Sequence, residues 1–229
     1  MKQMNRYILA GLLLVLVFFL NACTGNHNEH AESHEAEGTG MMDHGMMGQG
    51  GMDHGMDHAM DLGPADDTYD LRFIDGMIVH HQGAVEMAEE ALAKSQRREI
   101  LALAEAIIAA QADEIDLMNR WRNAWYPQAG PDPVMYDPAS GTSVPMSAEY
   151  IAMMKMSGDL GAGDEEFDLR FIEAMVPHHE GAVDMARDAL EKSQRPELRA
   201  LAEEIIATQQ EEIDLMMSWK MLWYGHSGH

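Results

Sequence analysis

Apolar and small residues recur along the chain every three to four positions, the period of an α-helix with one buried face. One such stripe runs through Phe73, Met77, His81, Ala84, Ala88 and Leu92. A second runs through Ala104, Ile107, Ile108, Gln111, Ile115 and Met118. The spacing predicts helices over residues 68–94 and 98–125. The pattern returns further on and predicts helices over 165–192 and 196–224. Lys94-Ser95-Gln96-Arg97 and Lys192-Ser193-Gln194-Arg195 close the first helix of each pair, where cations favour a helix C-terminus. Pro196 suits the first turn of the last helix. No run of alternating β-branched residues indicates a sheet.

The returning pattern is an internal duplication. Residues 70–126 align without a gap with 168–224, and about three positions in five are identical. Between them, 127–167 carries Pro127, Pro131, Pro133, Pro138 and Pro145, with a short helix expected over 147–156. Hairpin, long crossover, hairpin is the connectivity of ferritin-like four-helix bundles. Either two-helix piece alone would bury too little apolar surface to stand by itself. The fold expected is all-α: a ferritin-like four-helix bundle built from two duplicated αα-hairpins, occupying 67–229.

The first 22 residues read differently. Lys2 and Arg6 precede an apolar run from Ile8 to Leu20, shorter than a membrane span requires. Leu20-Asn21-Ala22-Cys23 then resembles a bacterial lipobox, which makes Cys23 the expected lipidation site and residues 1–22 a lipoprotein signal peptide. Residues 23–66, rich in Gly, Met, His, Asp and Glu, lack aliphatic periodicity and are expected to form a disordered tail. The location expected is the cell envelope, on the periplasmic face of a membrane, the outer one in a Gram-negative host. The formal net charge of −24 argues against nucleic acid as a partner and favours cations near the surface. Cys23 is the only cysteine, which leaves no internal disulfide and no thiolate metal cluster.

The candidate chemistry is soft-metal ligation. Met42, His44, Met46, Met52, His54, Met56, His58 and Met60 interleave thioethers and imidazoles along the tail. Such donors favour Cu(I), and Ag(I) as its mimic. A Met-x-x-His-His cluster stands in each repeat. In the first, Met77 and His81 lie on the inward stripe, while His80 falls at its edge near Met87. Met175, His178, His179 and Met185 repeat the set. On the second helices Met118 and Met216 face the same way, with Gln111, Glu114, Gln209 and Glu212 placed to orient the histidines. Each hairpin thus offers a set of its own. Against this stands the ordinary use of Met as core filler and of a buried His–Glu pair as structure. The tail cannot be explained as core, and it favours metal. Pro177, in place of Val79, aims His178 and His179, frees the carbonyl of Glu173, or is a kink without a role. Trp121, Trp125 and Tyr126, with Trp219, Trp223 and Tyr224, read as helix-end core.

Asp70-Leu71-Arg72-Phe73-Ile74 with Met77-x-x-His80-His81-x-x-Ala84-x-x-Met87-Ala88 resembles the family known as domain of unknown function 305. Phe171-Ile172-Glu173-Ala174-Met175 through Ala182 resembles it too, as does Gln111-x-x-Glu114-Ile115-x-x-Met118 with its copy at Gln209, Glu212, Ile213 and Met216. The resemblance implies a ferritin-like bundle exported to the periplasm or envelope, in a family whose members with assigned roles bind copper and support copper resistance.

The function expected is therefore an envelope protein that sequesters or buffers copper. Its expected partners are metal ions, a membrane reached through the lipid anchor, and a copper efflux or chaperone protein. Two competing readings are a membrane-tethered helical interaction module with a structural Met-rich core, and a cuprous oxidase-type enzyme. The Glu-x-x-His pairs of di-iron bundles are missing, blue-copper ligation lacks its cysteine, and no nucleophile–base set stands out. No enzymatic activity is expected.

Overall fold

The computed structural model describes residues 61–225. Four long helices carry the fold: α1 (Tyr69–Lys94), α2 (Arg98–Trp125), α4 (Phe167–Lys192) and α5 (Pro196–Tyr224). The crossover holds a two-stranded antiparallel hairpin, β1 (Val134–Asp137) and β2 (Thr142–Pro145), and a short helix α3 (Ala148–Lys155). Among the described residues no helix is long and apolar enough to cross a membrane. The all-α reading holds, and each helix end falls within two residues of the sequence expectation. The small sheet was not expected. Its strands are four residues each, too short for alternation to register, and the turn between them is closed by Gly141 at φ 68°.

The hairpin turns follow from local chemistry. Ser95 and Ser193 leave the helix in extended conformation, and each Oγ accepts from the backbone N–H two residues on, at 3.2 Å. That bond competes with helix continuation and fixes a three-residue link. Helix α4 runs unbroken through Pro177. The Ser147 side chain caps α3, and Met156, left-handed at φ 46°, ends it.

α1 packs on α2 and α4 on α5, and the two hairpins meet chiefly through α1 and α4. These two run antiparallel, since Tyr69 at the start of α1 donates from its hydroxyl to Asp188 near the end of α4, at 2.7 Å. Two cores result. One gathers Phe73, Ile74, Met77 and Met118 with Met185, Ala186 and Ile205 from the second repeat. The other gathers Phe171, Ile172, Met175 and Met216 with Met87, Ala88 and Ile107 from the first. Each hairpin thus completes the other's core. Leu92, expected on the buried stripe, lies at the surface, because Ala91 beside it takes the inward position and is wholly buried.

The hairpins also clasp each other at both ends. Arg97, in the first turn, pairs with Asp168 at 3.0 Å and lies 4.4 Å over the Trp223 ring. Arg195 repeats this with Asp70 at 3.1 Å and Trp125 at 4.3 Å. The tryptophans stack as pairs, Trp121 on Trp125 and Trp219 on Trp223.

The crossover packs on α1 and leaves α4 largely alone. Buried Arg72 anchors the chain before α1 by donating to the carbonyls of Leu62 and Pro64, to Asp66 and Thr68, and to Ser143 of β2. Leu62 is itself buried, so residues 61–66, expected to belong to the tail, are docked on the bundle.

Candidate metal centre

His81 and His179 lie at equivalent places on α1 and α4, and both are wholly buried. His81 Nε2 is 2.6 Å from Glu114 Oε2 on α2, and His179 Nε2 is 2.7 Å from Glu212 Oε2 on α5. A carboxylate accepts, so Nε2 of each ring carries a hydrogen, and in the neutral tautomer that this selects Nδ1 is the nitrogen with the lone pair. That Nδ1, buried in both rings, has no hydrogen-bond partner among the described residues. A carboxylate holding one ring nitrogen while the other stays available is the arrangement that orients a metal-ligating histidine. One turn before each glutamate, the side-chain oxygens of Gln111 and Gln209 are buried and equally without partner. Unsatisfied buried polar atoms are uncommon in native proteins, and here they repeat in matched pairs.

The methionines divide in a way the helical wheel did not foresee. Met77 and Met118 share a core with Met185, and Met175 and Met216 share the other with Met87, all at most 1% exposed. The set expected within one hairpin therefore draws its third thioether from the other hairpin. The wheel of a single helix reports its own hairpin's face and is silent on the second hairpin.

His80 and His178 also depart from expectation. His80 was placed at the edge of its face, yet both rings are wholly buried, with centroids 3.8 Å apart where α1 crosses α4. His178 Nε2 donates to the carbonyls of His80 and Lys155, each at 3.1 Å. Neither nitrogen of His80 has a partner among the described residues. Burial, reinforced by the neighbouring imidazoles, pushes His80 well below the ordinary histidine range and His178 down to about 3. Both rings are therefore neutral at physiological pH.

Sequence reading missed Glu204 of α5. Desolvation, with the charge of Glu114 nearby, pushes its carboxyl above the usual value. Glu204 lies at the surface of α5, and Ala106 stands at the equivalent place in the first repeat, so this negative charge is present in one repeat and not the other. Among the described residues no three His, Cys, Asp or Glu side chains converge as a metal-holding group. The tail candidates Met42, His44, Met46, Met52, His54, Met56, His58 and Met60, the lipidation candidate Cys23, and His226 and His229 lie outside the described residues.

The molecule is thus an all-α bundle with two duplicated, buried His–Glu pairs, each histidine one helical turn from a buried methionine of its own helix. The chain belongs to the family named domain of unknown function (DUF305), whose model matches residues 70–220. Solved structures resemble it along most of their length. CopM in the Cu(II)-bound form is 37% identical, with 68% of this chain and 97% of that chain covered and a TM-score of 0.55. CopM in the Cu(I)-bound form is 35% identical over the same shares, at 0.52. CopM in an Ag-bound form obtained by soaking is also 35% identical over those shares, at 0.53. No curated protein matches the chain.

Proposed function

We propose that this protein binds Cu(I), with Ag(I) as its mimic, and buffers or sequesters it in the cell envelope without catalysing a reaction. The observation that carries the reading is the pair of buried histidines, His81 and His179. Glu114 and Glu212 hold their Nε2 atoms, their Nδ1 atoms have no partner among the described residues, and the buried Met77, Met118, Met175 and Met216 stand one turn away from these histidines and glutamates along the same helices. Imidazole and thioether together suit a soft monovalent cation, and a neutral, dry donor set carries no charge that a hard dication would need. Similarity to CopM, solved with Cu(I), Cu(II) and silver, supports the same cargo. The envelope location and lipid anchor rest on the signal-like segment and Cys23. Copper tolerance, with hand-over to an efflux or chaperone protein, is the role that fits them.

The test is Cu(I) binding to the mature chain in competition with a colorimetric chelator, repeated for the His81→Ala/His179→Ala variant with its fold checked by circular dichroism. The tight equivalents should disappear while weaker binding by the tail persists. Unchanged tight binding in a folded double variant would remove the bundle centres from the function.

A further inference from the structure

Three methionines stand close together on α5, and only one is core. Met216 is wholly buried, whereas Met217 is 43% exposed and Met221 71%. The proposed centres use neither of the exposed two. Met221 stands mostly in water and Met217 nearly half so, which the core-filler explanation that covers the wholly buried methionines does not account for. The duplication supplies an internal control. The equivalent positions in α2 are Asn119 and Asn123, next to Met118, which is buried just as Met216 is. The fold therefore requires methionine at neither place.

Residues four apart on a helix are neighbours on one face, with Cβ atoms about 6 Å apart. The methionine side chain is unbranched and flexible, so both sulfurs can turn to one ion. Asp214, a turn earlier and also exposed, adds negative charge near that face. The intervening cation is already engaged, for Lys220 pairs with Glu173 of α4 at 2.9 Å. We infer that Met217 and Met221 form a second kind of site: an exposed, two-thioether site for a soft monovalent cation, Cu(I) or Ag(I), present on the second hairpin only. With two neutral ligands and open water on one side, it holds the ion loosely and exchanges it quickly. It would load and unload a protein whose proposed His–Met centres are buried. This inference rests on the copper reading above.

The experiment is a titration of the full mature chain with Ag(I), which is diamagnetic and redox-silent, followed through the methyl signals of 13C-methyl-methionine. The Met217 and Met221 signals, assigned by their loss in Met217→Asn and Met221→Asn, should move together in fast exchange. Either single substitution should abolish the shift of the remaining partner. If these two signals stay fixed while those of Met77, Met118, Met175 and Met216 move, the exchange site is wrong and the buried centres stand. Independent shifts, each surviving loss of the other residue, would equally overturn a shared site. If no methionine signal of the bundle moves, both readings fall.

Discussion

The two hairpins began as the same sequence and now live in different surroundings. Asp75 and Arg122 of the first correspond to Glu173 and Lys220 of the second. The first pair is a 2.6 Å contact with Asp75 only 2% exposed, and Asp75 also accepts from the Val134 backbone at 3.0 Å. Burial pushes its carboxyl up in spite of the arginine. The second pair spans 2.9 Å in the open. Arg72 is wholly buried, while its counterpart Arg170 remains about a third exposed. The cause is the crossover, which covers α1 and leaves the matching face of α4 in water. The comparison teaches that burial of a repeated residue was decided by what the connecting chain does, and only secondarily by the repeat itself.

The widest gap should appear on truncating the matched acids. Asp75→Ala removes the carboxylate held by a largely buried guanidinium, which keeps the Gly130 and Asp132 carbonyls, and strips a strand N–H of its acceptor, and should cost about 3 kcal/mol. Glu173→Ala should cost less than about 1 kcal/mol, as for exposed pairs. Urea denaturation of the two variants measures this, and equal losses would refute the covering role given to the crossover. Next comes Gly83, where an added Cβ would lie 1.8 Å from the Lys155 carbonyl oxygen. Because the obstacle is backbone, α3 must lift off α1, and Gly83→Ala should cost about 2 kcal/mol.

The histidines at the crossing should give a pH signature. Unfolded, His80 and His178 titrate near the ordinary value of about 6.5. Folded, both are held below it, His178 at about 3. Above pH 6.5 neither state carries the proton and stability is at its full value. As pH falls below 6.5 the unfolded chain takes up protons the folded chain refuses. Stability is then lost progressively, for His178 down to about pH 3, by up to about 1.4 kcal/mol per pH unit, and His80 adds a loss of the same sign. Thermal melts of the metal-free protein should show the decline, and His178→Asn should make it shallower. A melting temperature that is flat from pH 7 to 4.5 would contradict the buried, neutral assignment. The smallest effect belongs to Gly76→Ala. Its Cβ would sit 3.4 Å from Leu62, an ordinary contact, and the second repeat already has Ala174 there. Helix propensity should make this variant more stable by about 0.5–1 kcal/mol in the same denaturation series.

The helices were legible because their signals are local. Periodicity, the Lys-Ser-Gln-Arg links and Pro196 locate α1, α2, α4 and α5 to within two residues. The His81–Glu114 and His179–Glu212 pairs were legible too, since each joins two faces of one hairpin. What escaped depends on contacts distant in sequence. His80 reads as an edge residue until α4 is laid across α1. Met87 and Met185 read as members of their own hairpins until the helices interlock. Arg97 and Arg195 read as helix-end cations, and nothing nearby in sequence announces Asp168, Trp223, Asp70 or Trp125 as their targets. The exposure of Met217 and Met221 was readable in principle, since Met216 beside them takes the inward position and their counterparts are asparagines.

The reciprocal arginine clasp has a consequence for the origin of the chain. Arg97 reaches the second hairpin at the places where Arg195 reaches the first, and His80 meets its own counterpart at the centre. A surface on which residue i meets j while the equivalent of j meets the equivalent of i is the isologous interface of a twofold dimer. The bundle therefore has the form of a homodimer fused into one polypeptide. Fusion freed each half to change without changing the other, as Glu204 and the Met217–Met221 pair have done on one side alone.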